Sequence, residues 1–207
     1  MALSAIKNQQ IIDAALAEFM THGFHGARMD AIAERANVSK RTVYKHFESK
    51  DVLFTHMVTV MRAGFRDAAT LPYDPLVPVA EQLRHIADAE GALYTSKPFM
   101  KLVRLLVSEA ARDRSLAALF PSEEPDGGAL ARFLGEADRD GALHVPDPAL
   151  AANQFKDLLK GRSFWPAVIG QPVVSKADMA EIIEQALALF LARYAPATQS
   201  GLQLCSS

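Results

Sequence analysis

An all-α fold is the architecture that this sequence predicts. Apolar residues recur at helical spacing through most of the 207 residues. Alanine, the strongest helix former, is the commonest residue. No run of about four to eight residues alternates apolar with polar between turn signals, as a half-buried strand would.

Each element has its own justification. Ile12, Leu16 and Phe19 share one face of a first helix, which ends at His22-Gly23, a glycine suited to a left-handed terminal residue. A short second helix over 29–36 carries Ile32 and the small Ala33, which permits close approach of a neighbour. In the bend Asn37-Val38-Ser39, asparagine tolerates a left-handed backbone, Val38 plugs the core and Ser39 caps a third helix over 40–47. Ser49 caps a long fourth helix, whose stripe is Leu53, Met57, Val60, Met61, Gly64 and Phe65. Pro72, Pro75 and Pro78 then break the chain. Helical patterns resume over 79–95, 99–112 and 128–139, separated by Ser96-Lys97-Pro98 and by the acidic loop Pro121-Ser122-Glu123-Glu124-Pro125-Asp126. Pro146-Asp147-Pro148 introduces a helix over 149–168, and a last one starts near Ser175, with Asp178 in its first turn, and ends before Pro196. No internal repeat is seen, and the small, polar residues of 196–207 predict a flexible tail.

Composition narrows the function. Half of the residues are hydrophobic, enough for a sizeable core and too many for intrinsic disorder. Net charge is −2, so bulk charge does not make this chain a nucleic-acid binder; any such activity needs a local patch. The longest apolar run, 186–192, is far short of a membrane span, no secretory signal is evident, and the single Cys205 leaves no intramolecular disulfide. A cytoplasmic protein with no membrane partner is expected.

The required patch exists. Between Arg35 and Lys50 lie five basic residues (Arg35, Lys40, Arg41, Lys45, Lys50) and one acid, Glu48, so this segment carries +4 and the remainder −6. Val43 and Phe47, four apart, face inward, which turns Lys40, Arg41, Thr42, Tyr44, Lys45 and His46 outward. A short basic helix packed on two apolar ones is the arrangement that enters a DNA major groove.

These residues resemble a family. Ile11-x-x-Ala14-Ala15-x-x-x-Phe19, His22-Gly23-Phe24, Ile32-Ala33 and the run from Asn37 to Phe47, followed by Lys50 and Leu53, are similar to the TetR family of transcriptional regulators. The resemblance implies an all-helical homodimer of about nine helices per chain. An N-terminal helix-turn-helix domain (1–50) would bind a palindromic double-stranded operator. A domain over 51–195 would bind a small-molecule effector and dimerise. It also implies base or phosphate contacts from Thr42, Tyr44 and Lys45, and a phosphate contact from Lys50. Two departures stand out: Asn37 where glycine is usual, and Ala27-Arg28 where hydroxyl residues usually precede the second helix. Arg28 is the candidate replacement for that phosphate contact. The full set of candidate DNA residues is Arg28, Ser39, Lys40, Arg41, Thr42, Tyr44, Lys45, His46 and Lys50.

Further along, Lys97-Pro98-Phe99-Met100 with Arg104-Leu105 and Glu109-Ala110, and Phe155 with Leu158-Leu159-Lys160-Gly161-Arg162, Phe164 and Trp165, resemble the AefR-like subgroup, which implies a repressor. Large adaptable residues at helical spacing are candidates for an apolar effector pocket: Met61, Phe65, His85, Tyr94, Phe99, Val103, Leu106, Phe133, Phe155 and Leu159. Taken one at a time, each of these residues fits an ordinary core better than a pocket, and His85 fits a structural histidine better than a ligand contact. The last two helices are the candidate dimer interface, through Leu158, Gly161, Arg162, Trp165, Ile183, Leu187, Phe190 and Tyr194. Arg162 fits either an anionic effector contact or the dimer edge.

Two other classes compete. A helical effector binder without DNA binding would not need the basic third helix. A metal-dependent enzyme would have to build on His22 and His25, which Gly23 separates and no suitably spaced carboxylate or cysteine completes. No Gly-rich phosphate loop, nucleophile elbow or HExxH is present. Neither a cofactor nor a metal is expected.

Overall fold

The computed structural model describes residues 2–68, 71–118 and 128–196. The acidic loop at 121–126, the tail from 197 onward with Cys205, and the side chain of Phe65 lie outside the described residues. Ten helices are found in the described part: α1 (Ala2–Gly26), α2 (Met29–Arg35), α3 (Lys40–His46), α4 (Lys50–Ala68), α5 (Val79–Tyr94), α6 (Lys97–Arg112), α7 (Arg114–Ala117), α8 (Gly128–Arg139), α9 (Pro148–Val168) and α10 (Lys176–Tyr194). The fold is all-α, with one helix more than expected. The addition is α7, four residues capped by the Asp113 carboxylate, which accepts the Ser115 N–H at 2.8 Å. One turn of helix leaves no periodicity to read.

The turn chemistry places the elements. Gly23 takes φ 69°, ψ 172°, so α1 is two helical pieces joined at a kink. Asn37 takes φ 51°; its N–H bonds the Glu34 carbonyl at 3.0 Å, and the Val38 N–H bonds the Ala33 carbonyl at 3.1 Å. That pair of bonds is a Schellman motif, and it ends α2 at Arg35 sharply enough for α3 to start at Lys40. Ser39 Oγ accepts the Thr42 N–H at 3.1 Å and caps α3, and Ser49 does the same for Val52 at 3.2 Å. The last helix starts with a reciprocal capping box between Ser175 and Asp178.

Helices α1 to α3 form a small head on one end of α4. Its core joins Ile11, Ala15, Phe19, Ile32, Ala33, Val43 and Phe47 to Leu53, Phe54 and Met57 of α4. On α4 the buried stripe is Leu53, Phe54, Met57, Val58 and Met61; Val60, assigned to it from spacing, is exposed. The proline segment after α4 is tied down by the buried Gln82. Its amide donates to the carbonyls of Asp74 (2.8 Å) and Val77 (2.7 Å) and accepts the Asp74 N–H (2.9 Å). Helices α5, α6, α8, α9 and α10 make the larger bundle, around Leu83, Tyr94, Leu106, Phe133, Phe155 and Phe190.

Candidate nucleic-acid interface

Helix α3 presents its cations as the spacing requires. Val43 and Phe47 are buried, Lys40, Arg41, Tyr44 and Lys45 are exposed, and Thr42 and His46 stand half-buried beside them. The patch is less uniform than its charge sum implies. Lys40 Nζ lies 2.6 Å from Asp30 on α2, and Arg28 lies 3.8 Å from the same carboxylate. Arg35 reaches back to Glu18 of α1 at 3.5 Å. Arg41 and Lys45 are exposed and, among the described residues, unpaired. Asp30 had no signal in the sequence: ten residues separate it from Lys40, and only the α2–α3 crossing brings them together.

Arg28 is the N-cap residue of α2 with extended backbone and makes no side-chain capping bond. Its exposed guanidinium borders a depression of about 340 Å³ lined also by Ala27, Met29, Asp30, Tyr44 and Lys50. Lys50 departs from expectation. Its ammonium turns inward, donating to the carbonyls of His25 (3.0 Å) and Ala27 (3.2 Å) and lying 4.8 Å above the Phe24 ring. The physical reason is the end of α1 at Gly26, which leaves these last carbonyls without helical partners, and a cation satisfies them.

The two histidines that a metal site would have to use have separate partners. His22 lies 3.8 Å from Glu18, and His25 lies 3.0 Å from Asp113. Among the described residues no group of three or more His, Cys, Asp or Glu could hold a metal ion. No described helix is long and apolar enough to cross a membrane.

In the larger bundle, Met61, Tyr94, Val103, Leu106, Phe133, Phe155 and Leu159 are buried, and Phe99 is half-buried against Gly64. His85 is exposed on α5 and does not line the interior; it sits one residue before the inward Ile86, and a step of 100° carries it outward. A polar cluster with no signal in the sequence sits among these apolar groups. The buried Tyr94 hydroxyl donates to the buried Glu90 carboxylate, and burial together with that carboxylate pushes the phenol up. Lys160 is held below its usual range by burial, with Glu90 opposing the shift.

The candidate dimer residues divide into two sets. Ile183, Leu187, Phe190 and Tyr194 are buried within the chain itself: Phe190 meets Phe155 at 5.0 Å, and the Tyr194 hydroxyl donates to Gln154 at 2.6 Å. They are core, not an outer face. Helix α10 is apolar on both sides, so spacing alone does not say which side points out. The outer side carries Leu189, 61% exposed, two residues and about 200° from Leu187. On α9, Trp165 is 51% exposed, Gly161 has open space where a Cβ would stand and Leu158 is half-buried, and Ile169, just past the end of the helix, is 77% exposed. Arg162 donates to Gln185 of α10 at 2.6 Å and edges this surface.

Residues 11–57 match the family model described as bacterial regulatory proteins, tetR family, and residues 81–196 match that of the AefR-like transcriptional repressor C-terminal domain. The chain belongs to the TetR family. Among the relatives of this TetR-family chain, the HTH-type transcriptional repressor SCO4008 of Streptomyces coelicolor is 39% identical over 78% of the chain and 79% of that protein. The crystal structure of a TetR family regulator from Pseudomonas syringae pv. tomato superposes with a TM-score of 0.76 at 34% identity, covering 90% of this chain and 96% of that one. The Flavonoid-responsive Regulator FrrA superposes with a TM-score of 0.70 at 31% identity, covering 93% and 98%. The chain is therefore a DNA-binding transcriptional regulator of this family, and α2 and α3 are its helix-turn-helix.

Proposed function

We propose that the chain acts as a homodimeric repressor that holds a palindromic operator and is released from it by a small, largely apolar effector. The observation that carries this reading is the outward cationic face of α3, with Arg41 and Lys45 exposed and unpaired among the described residues over a fully buried Val43. Phosphate contacts supply most of the affinity of such a face, and base edges supply the specificity. Arg41, Thr42 and Lys45 are the base readers, and Lys45 meets a phosphate beside its base as well. Ser39, Tyr44, His46 and Arg28 flank them, and Lys40, held by Asp30, serves the backbone rather than a base.

The two copies join through the outer side of α9 and α10, at Leu158, Gly161, Trp165 and Leu189, with Arg162 at the edge. The effector lies among Met61, Phe99, Val103, Leu106 and their neighbours, and shifting α4 changes the separation of the two recognition helices. The name of FrrA, a flavonoid-responsive regulator, supports an aromatic molecule as the effector class, and the name of SCO4008 supports repression.

The test uses a duplex selected by the protein from a randomised library. Lys45→Ala is expected to weaken binding about tenfold and to reduce the slope of log affinity against log salt by about 1. Unchanged affinity and slope would remove Lys45, and with it this docking mode.

A further inference from the structure

Glu109, on α6, is 4% exposed and lies 85 residues from its principal partner, the backbone N–H of Phe24, which its Oε2 accepts at 3.0 Å. Its other oxygen accepts from Arg112 at 3.2 Å. A buried carboxylate is costly unless it is hydrogen-bonded, so the amide at its tip is needed to keep it there. The amide is available because of the kink. In an unbroken helix the Phe24 N–H would bond the carbonyl four residues back. The φ of 69° at Gly23, open to glycine without strain, turns that N–H out of α1 and toward α6.

The chain beyond the kink is held firmly. The Phe24 ring stands 5.8 Å from that of Phe19 and 5.1 Å from that of Phe54 on α4. Lys50 covers the ring and ties the carbonyls of His25 and Ala27 to the start of α4. Helix α2 begins two residues after Ala27. The exposed His25–Asp113 contact adds a second link to the same end of α6, in a place where solvent screens it.

We propose that Glu109 is a positioning residue for DNA recognition: by gripping the Phe24 amide at the Gly23 kink, it sets the angle at which the three-helix head leaves the larger bundle. The inference rests on the reading that the dimer binds a two-fold operator. In a dimer that angle fixes the separation and phase of the two α3 helices, so Glu109 selects operators by half-site spacing rather than by base sequence.

The chain of 207 residues is compared with its variants Glu109→Ala and Glu109→Gln, the latter with an amide oxygen that still accepts the Phe24 N–H. The probes are the duplex selected by the unaltered protein from a randomised library, the same duplex with its half-sites moved by one base pair either way, and a single half-site. Each step shifts a half-site by about 3.4 Å and roughly 35°. The unaltered protein is expected to bind the moved half-sites about tenfold more weakly, Glu109→Ala to lose that discrimination while keeping its single-half-site affinity, and Glu109→Gln to retain it. Exchange of the Phe24 amide in the free protein should quicken about tenfold in Glu109→Ala alone. A merely structural role would lower thermal stability and move neither readout.

A folded Glu109→Ala with unchanged spacing discrimination or unchanged Phe24 exchange overturns the proposal. If that variant does not fold, Glu109→Asp, too short to reach the amide, is read by the same two measurements with the same expectation. An unaltered protein that selects no duplex overturns the operator reading itself, and is thereby distinguished from failure of the Glu109 contact.

Discussion

Lys50 and Lys45 are chemically alike and lie five residues apart, yet the structure gives them opposite surroundings. Lys45 stands in solvent on α3, whereas the Lys50 ammonium is spent on two backbone carbonyls and the face of Phe24. Hydrogen bonds from a charged donor contribute about 1.5–3 kcal/mol when buried, and less at a half-exposed site such as this one. Lys50→Ala should therefore lower unfolding stability by about 1–2 kcal/mol in denaturant titration. Its salt slope on the selected duplex should match that of the unaltered protein. A slope reduced by about 1, as expected for Lys45→Ala, would show that Lys50 leaves its carbonyls to meet a phosphate.

At the scale of the element, the α2–α3 turn depends on two residues. Asn37 ends α2 at positive φ, and Ser39 caps α3. Ser39→Ala removes the acceptor for the Thr42 N–H and should cost about 1 kcal/mol by thermal or chemical denaturation. Asn37→Val should cost about 1–2 kcal/mol, because a branched side chain is strained in the left-handed region, while Asn37→Gly should be near neutral. Equal losses for the valine and glycine variants would mean that the asparagine side chain, not its backbone, matters. These features were legible in the sequence because they are local: the bend, its caps, the inward Val43 and the outward cations all lie within one short stretch. Longer-range features were not. Asp30 against Lys40, Glu109 against Phe24 and Glu90 beside Lys160 join separate helices, and no periodicity encodes such meetings. Helix α10 failed for another reason, since a helix apolar on two sides has two stripes, and spacing reports both without ranking them.

For the whole molecule, the decisive surface is the outer side of α9 and α10. Leu189 at 61% exposure, Trp165 at 51% and the open Gly161 lie over a bundle whose inner stripe is already filled by Ile183, Leu187 and Phe190. Exposed apolar groups of this size on one face call for a partner surface, and the proposed two-fold contact pairs this patch with its own copy, residues near the axis meeting themselves. Leu189→Arg would then set like charges against each other at the same contact, while the protomer core, which does not use Leu189, stays intact. The variant should run as a monomer in light scattering at a concentration where the unaltered chain is a dimer, with an unchanged helical circular dichroism spectrum. Its affinity for the selected duplex should fall toward that for a single half-site, because the second recognition helix no longer arrives tethered at a high effective concentration. Single-half-site binding should be untouched, since α3 and its caps lie on another part of the molecule. A variant that remains dimeric would place the subunit contact elsewhere, and the spacing of the two α3 helices would then have to be set by a different face.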